Sequence, residues 1–345
     1  MKKTAIATLV AASMAATPAF AGVAEELAAM KQRIAQLESQ LAEQQATIAK
    51  QEQSSGSSSM GGFAENVTVS GELELLANHV EQDGGNSTSD IVVDTFKLNI
   101  EADINEMVSV ASVLKYDDAD QDIQLDEAYA VIGNDDTFAT LTAGKTAIPV
   151  AAINDAGWTS PLTDDFFDIT EGMAMVSFGG DMVAADVYTH NNGEGDSINT
   201  VGLNVALTPA EGVTLGAGYI NDLNDTTNDL NTLVASSEDA WRLNAMLETG
   251  ALAFTAEYLE VDGSTTDPSF LALNASYNTS LMGEDATLYL GWSEVDDSNA
   301  DAERTVVGIE RAFGDNAAVV AEIVRDEDNT GADTDTLNLV LVTEF

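Results

Sequence analysis

The final ten residues of the chain alternate strictly between two chemical characters. Leu337 and Leu339 fall on one face of an extended strand together with the terminal Phe345, whereas Asn338 and Glu344 fall on the opposite face. Similar alternation recurs in about fifteen further segments, and the connections between them are alternately short and long. Lipid on one side of a strand and water on the other require opposite residues at successive positions. The pattern therefore predicts an all-β fold, a 16-stranded antiparallel transmembrane β-barrel.

The connections support the strand count. Seven tight turns alternate with eight longer polar links, which puts both ends of the barrel on the tight-turn side, the periplasmic side in bacterial outer-membrane barrels. The alternative that this pattern leaves open is a water-soluble β-sandwich. We place the barrel at 67–345, with strands beginning near Val67, Val92, Met107, Ile123, Thr137, Gly172, Met182, Asn199, Val213, Ala240, Ala251, Phe270, Ala286, Thr305, Ala317 and Thr336.

Three segments precede the barrel. Residues 1–21 have the positive start, short apolar run and small residues of an export signal, with a retained membrane anchor as the alternative. Residues 22–53 show heptads with no Gly or Pro after Gly22, which predicts an α-helical coiled coil in the periplasm, and 54–66 form a Ser/Gly linker. One amphipathic helix that packs on the barrel or plugs it is the alternative. The predicted oligomerisation residues are Val23, Leu27, Met30, Ile34, Leu37, Leu41 and Ile48, and a homo-trimer is favoured.

Charge and composition exclude several functions. The chain has 59 acidic and 12 basic residues, a net charge of −47, and loss of two lysines with the signal leaves −49. Such a chain repels nucleic acid, and without cysteine it has neither disulfides nor thiolate metal sites. The histidines are His79 and His190, which we interpret as solvated loop residues, and no catalytic motif is present. We predict no enzyme activity, cofactor or metal site.

The longest link, 146–170, is the strongest functional candidate. It contains the aromatic Trp158 and the acidic residues Asp164, Asp165 and Asp168. A segment of this length with large apolar groups is unlike a loose loop. Either it folds into the mouth and sets the width and charge of a pore, or it is a lid that packs on a neighbouring loop or subunit.

The few basic residues of the barrel are further pore candidates. They are Lys97, Lys115, Lys145, Arg242 and Arg304, and alternation points Lys97 and Arg242 into the lumen. Separated acidic and basic rows would produce a transverse field that orders passing ions and dipoles. Simple pairing of each cation with a luminal carboxylate is the alternative.

Short segments support a family resemblance. They are Thr-Ser-Asp-Ile-Val at 88–92, Leu-Asp-Glu-Ala at 125–128, Leu-Thr-Ala-Gly-Lys at 141–145 with Pro149 after it, and 155–170 with Pro161-Leu162-Thr163 inside. With the order of coiled coil, linker and barrel, they resemble the LbtU-type siderophore porins, the legiobactin-receptor family. The resemblance implies an outer-membrane channel linked to ferric-siderophore uptake. Many ferric siderophores are anionic, so the acidic barrel is at odds with that solute class.

The function expected from sequence is a passive solute channel in a Gram-negative outer membrane. Expected partners are membrane lipid and lipopolysaccharide, small solutes or ferric chelates, and further copies of the chain. The alternative is a structural or adhesive protein that tethers the envelope through its coiled coil.

Overall fold

A computed structural model provides the structure of the protein. It describes residues 66–85, 87–117, 122–134, 136–152, 157–180, 182–191, 198, 200–223, 239–262, 267–297, 301–328 and 333–345. The predicted export signal, coiled coil and linker lie outside the described residues. Within the described ranges, no helix has the length and apolarity needed to cross a membrane.

Sixteen strands and one short helix make up the described chain. The strands are β1 Val67–Gln82, β2 Thr88–Asn105, β3 Val108–Asp117, β4 Ile123–Ile132, β5 Thr140–Ala147, β6 Thr170–Phe178, β7 Val183–His190, β8 Val201–Ala210, β9 Val213–Asn221, β10 Asp239–Thr249, β11 Leu252–Asp262, β12 Ser269–Leu281, β13 Glu284–Asp296, β14 Ala302–Ala312, β15 Ala317–Asp328 and β16 Thr334–Glu344. The helix α1, Leu162–Phe167, lies between β5 and β6.

Each strand pairs with its neighbour in sequence, and β1 pairs with β16, so the sheet closes into an antiparallel barrel. At the closure, Leu75 pairs with Leu341. Phe345 exchanges two backbone hydrogen bonds with Gly71, at 2.8 and 3.0 Å. The prediction of a 16-stranded barrel is confirmed. Several strands, including β2, begin earlier than predicted, because hydrogen-bonded pairing continues into the polar residues of the links.

The two faces of the sheet differ as the alternation predicts. In β8, Val201 and Leu203 are exposed on the outer face, while Gly202 and Asn204 are buried on the inner face. An apolar residue exposed on the outside of a closed barrel meets hydrocarbon in a membrane rather than water. The exposed apolar side chains therefore form the lipid-facing surface.

The apolar core of the molecule lies inside the barrel. One cluster gathers α1 and its flanks against the inner wall, with Phe167 and Phe270 at its centre. A second cluster joins inward-facing valines of β14, β15 and β16, including Val306 and Val340, with Trp158 packed against it. Both clusters contain residues of the segment between β5 and β6, so this segment fills part of the lumen.

Candidate pore constriction

The segment 148–169 leaves the barrel wall after β5 and returns to it at β6. The Ile148 amide donates to the Ile169 carbonyl at 2.8 Å, which closes the base of the excursion. We call 148–169 the lumen loop, since its described residues contact inner-face side chains of strands from β8 round to β1. Of the two arrangements open from sequence, the inward fold is the one observed.

The first limb of the lumen loop is fastened to β8 and β10. Arg242 Nη1 donates to the Val150 carbonyl at 2.9 Å, and Asn204 Nδ2 donates to the Pro149 carbonyl at 2.9 Å. Arg242 Nη2 also donates to Asn204 Oδ1 at 3.1 Å. Arg242 is buried in this network. It therefore holds the loop backbone instead of facing an open pore.

A carboxylate of β11 continues this fastening. Glu257 Oε2 accepts a hydrogen bond from the Ala152 amide at 2.5 Å. Glu257 is 6% exposed, and its charge interacts with Arg242 and Asp164. A buried carboxylate is costly unless it is hydrogen-bonded or paired. Its position thus ties the loop backbone to the wall.

The tip of the lumen loop is held by Glu322 of β15, which is 1% exposed. Glu322 Oε2 accepts from the Thr159 amide at 3.3 Å and from the Tyr289 hydroxyl at 2.8 Å. Glu322 Oε1 accepts from the Thr159 hydroxyl, and from Asn338 Nδ2 at 3.1 Å. Four donors from the loop and two other strands therefore converge on one buried carboxylate.

Two glycines allow the Tyr289 ring to reach Glu322. A Cβ on Gly308 of β14 would lie 2.4 Å from the ring, and one on Gly157 of the loop would lie 2.0 Å from it. The ring is therefore held between two backbones that approach more closely than any other residue would permit. Next to Gly157, Trp158 donates a side-chain hydrogen bond to Glu74 of β1.

The returning limb is fastened by Arg304 of β14. Arg304 Nη1 lies 3.0 Å from Asp165 Oδ2 and donates to the Ser160 carbonyl at 3.0 Å, while Nε donates to Asp326 Oδ1 at 2.7 Å. The Leu162 amide donates to Ser293 Oγ of β13 at 3.0 Å. Arg304, like Arg242, therefore holds the loop backbone against the wall.

Aromatic contacts complete the attachment of α1. The Phe167 and Phe270 rings meet edge to face with centroids 4.9 Å apart, and the Phe166 ring lies 5.2 Å from Phe270. Phe167 and Phe270 are almost fully buried. Removal of a ring as buried as that of Phe167 typically costs about 3–5 kcal/mol.

The first turn of α1 is acidic, with Asp164 and Asp165. Burial raises the pKa of Asp164, although a hydrogen bond with Ser160 and the charges of Lys115 and Arg304 oppose the rise. Burial also raises the pKa of Asp165 despite the Arg304 contact. Because 41% of the Asp165 side chain is exposed, water limits that rise. Both carboxylates therefore hold a proton more readily than ordinary aspartates.

Two lysines lie side by side on the luminal wall. Lys97 of β2 and Lys115 of β3 pair directly in the register. Lys97 Nζ lies 3.7 Å from Glu72 Oε1, and both lysines are partly exposed. The charge of Lys115 acts on Asp164, so this pair of lysines lies within electrostatic range of the lumen loop.

Further acidic groups lie near these lysines. Glu127 of β4 interacts electrostatically with Lys97 and with Asp168 of the loop. Lys115 Nζ lies 4.0 Å from Asp117. Each lysine therefore has carboxylates among its luminal neighbours.

Lys145 lies apart from this luminal set. It pairs with Ala128 and Gly172, on the face opposite that of Met173, which is buried in the luminal cluster. Its Nζ donates to the Leu125 carbonyl at 2.9 Å. Register therefore puts Lys145 on the outer face near the link that follows β5.

The interpretation of His190 as a solvated loop residue is wrong. His190 is the last residue of β7 and is 2% exposed. It follows Tyr188 on the inner face, where the strand continues the luminal core. Its Nδ1 lies 2.7 Å from the Asn191 carbonyl oxygen.

Sequence reasoning missed the residues that hold the loop, above all Glu257, Glu322, Tyr289 and Ser293. Glu322 had a detectable signal, because it interrupts an inward row of valines in β15 at Val320 and Val324. The alternation of the strand indicated that Glu322 points inward, but it could not indicate that Thr159 of the lumen loop is its partner. In the part of the chain that the structure describes, no group of three His, Asp or Glu side chains is arranged for a metal ion.

A closed 16-stranded barrel with an apolar exterior and a charged, loop-narrowed lumen defines a membrane channel of the porin class. The family model for Gram-negative porins matches residues 7–331 of the 345. The chain belongs to this Gram-negative porin family, whose members are channels rather than enzymes. No curated protein matches the chain.

Solved porin structures share the fold. An anion-selective porin from Comamonas acidovorans is 11% identical with a TM-score of 0.61, covering 81% of this chain and 99% of that one. The outer-membrane channel DcaP of Acinetobacter baumannii is 12% identical with a TM-score of 0.60, covering 84% and 100%. OmpT of Vibrio cholerae in a trimer form is 11% identical with a TM-score of 0.57, covering 81% and 100%. Family and neighbours point to a Gram-negative outer membrane.

Proposed function

We propose that this chain forms a passive diffusion channel that prefers cations and orients dipolar solutes as they pass the lumen loop. The observation that carries the proposal is the attachment of the lumen loop to the inner wall, which brings Asp164 into electrostatic contact with Lys115 and places Asp168 near Glu127, which also interacts with Lys97. Acids on the loop lower the energy of a passing cation, and the overall charge of −47 raises cation concentration at both mouths.

The pore residues in this proposal form two sets. Asp164, Asp165 and Asp168 supply the negative side, and Lys97 and Lys115 the positive side. Trp158, Arg242 and Arg304 determine the position of the loop and act on the pore through it. Lys145 has no part in the constriction.

Reversal potentials across planar bilayers test the selectivity. Purified protein in a potassium chloride gradient should give stepwise conductance with a reversal potential of the cation-selective sign. Asp164→Asn should reduce the preference, and Glu310→Gln is the matched control, since Glu310 lies on β14 nearer the periplasmic turn. Folded protein that gives silent membranes, or a preference for chloride, would contradict the proposal.

Iron-chelate uptake is the specific form of this function that the sequence resemblance suggests. The acidic loop favours neutral or cationic ferric chelates over anionic ones. Labelled-iron uptake by a deletion strain under iron limitation tests this, with chelates of each charge offered in parallel. Equal uptake by deletion and parent strains would remove the iron role and leave the channel function intact.

We also propose a homo-trimer, supported by the heptads at 22–53 and by the trimer form of the OmpT neighbour. Cross-linking of protein extracted in mild detergent should give a trimeric species. Deletion of 23–51 tests the alternative function of this segment. An envelope that is weakened without a change in solute uptake would show that the segment acts as a tether and not in the channel.

A further inference from the structure

A small enclosed cavity lies between the lumen loop and the barrel wall. It has a volume of about 10 Å³ and is lined on the loop side by Pro161 and Thr163 and on the wall side by Glu257 and Asn274. A space of this size accommodates one particle the size of a water molecule. Neither Lys97 nor Lys115 lines the cavity.

Two buried oxygen atoms of this cavity lack partners. Glu257 is 6% exposed and Thr163 is 0% exposed. Glu257 Oε1 and Thr163 Oγ1 find no hydrogen-bond partner among the residues that the structure describes, whereas Glu257 Oε2 is held by the Ala152 amide. Polar atoms left without partners at this depth destabilise the fold unless something binds them.

The local charge favours a cation. The charge of Arg242 acts on Glu257, but its guanidinium donates to Val150 and Asn204. Within the described ranges Glu257 makes no salt bridge. Asp164 adds a second negative charge nearby. A buried charge requires a counter-charge, and the acidic lumen supplies cations at raised concentration.

The donor set and the volume favour a monovalent ion. Carboxylate, hydroxyl and amide oxygens suit hard cations. The cavity has a single carboxylate, and it is too small for the water shell that Mg²⁺ retains. The geometry points to a sodium ion bound between Glu257 Oε1 and Thr163 Oγ1, which fastens α1 to β11 and makes the position of the lumen loop depend on sodium.

Trp158 provides a readout for the loop, since it packs against the second luminal cluster. The full chain is refolded in detergent with Trp241 and Trp292 changed to Phe, so that emission reports Trp158. Loop release by denaturant is then followed while sodium chloride replaces choline chloride at constant ionic strength. Choline is too large for the cavity.

The inference predicts that sodium, and not choline, raises the denaturant midpoint and that the effect saturates. When the sodium concentration is ten times the dissociation constant of the site, the equilibrium constant for loop release should fall about eleven-fold. Glu257→Gln and the nearly isosteric Thr163→Val should each abolish the sodium dependence, while Glu310→Gln should retain it. Thr163→Val keeps the test decisive if Glu257→Gln does not fold.

Two outcomes overturn the inference. Equal midpoints in sodium and choline would mean that a water molecule or a proton satisfies the two oxygens. A sodium effect that persists in both variants would place the ion elsewhere. Channel selectivity is measured separately in bilayers. A loop release that does not depend on sodium would therefore leave the proposed channel function intact, and a channel without cation preference would leave the sodium site intact.

Discussion

Replacement of Glu322 by Ala should release the tip of the lumen loop. In the native protein the carboxylate accepts hydrogen bonds from the Thr159 amide and hydroxyl, from Tyr289 and from Asn338. Alanine removes the acceptor and leaves buried donors on both the loop and the wall. Water can reach those donors only when the loop leaves the wall, so the substitution favours the released form.

The size of the effect follows from the burial of the carboxylate. Each buried donor that loses its acceptor costs about 1–3 kcal/mol, so the two donors of Thr159 together cost about 2–6 kcal/mol. Since each 1.4 kcal/mol is a factor of ten, the docked tip should lose roughly a thousand-fold in population relative to the released tip. Arg242 and Arg304 still hold the two limbs. The barrel should therefore remain folded while the tip, with Trp158, moves.

Single-channel recording provides the assay. Glu322→Ala should show larger open-channel noise and additional conductance levels, and Glu322→Gln should lie between it and the parent because one acceptor oxygen remains. Glu310→Gln controls for loss of a luminal charge on a neighbouring strand. The reasoning is refuted if folded Glu322→Ala protein has the conductance, noise and selectivity of the parent.

Three further outcomes are expected. Phe167→Ala should lower the stability of the folded protein by about 3–5 kcal/mol, measured by denaturant unfolding in detergent, and an effect below 1 kcal/mol would contradict the packing argument. Lys115→Gln should increase the cation-to-anion permeability ratio about seven-fold, because a charge ~7 Å away in water changes the energies of cation and anion by about 0.6 kcal/mol in opposite directions; an unchanged reversal potential would argue against its role. The raised pKa values of Asp164 and Asp165 mean that the folded protein binds their protons more tightly than the unfolded chain. As the pH drops from the raised pKa values towards about 4, the docked loop should therefore become more stable and the preference of the channel for cations should fall. Asp164→Asn should weaken both pH dependences.

Much of the barrel could be predicted from periodicity alone. Strands such as β1, β4, β9 and β15 begin at the predicted residues. The longer polar links were harder to delimit, because a polar residue such as His79 pairs in the ladder although its side chain resembles that of a loop residue. Hydrogen bonding of the backbone, which does not depend on side-chain polarity, extended both strands at that link.

The pore residues could be predicted only in part. Alternation identified Lys97 and Arg242 as inward, and both are luminal. It could not distinguish their roles, since Lys97 remains partly exposed whereas Arg242 is buried under the loop. Register shifts, such as the one at Val113 and Leu114, also change which residues oppose each other across strands.

The closed barrel could be inferred from the amino-acid pattern alone, because a two-residue period with lipid on one side and water on the other has few other solutions. The excess of acidic over basic side chains is likewise a property of the sequence. The position of the lumen loop, in contrast, is visible only in the folded protein. Its position depends on contacts between residues far apart in the chain, such as Thr159 with Glu322, and no local period encodes the meeting of such pairs.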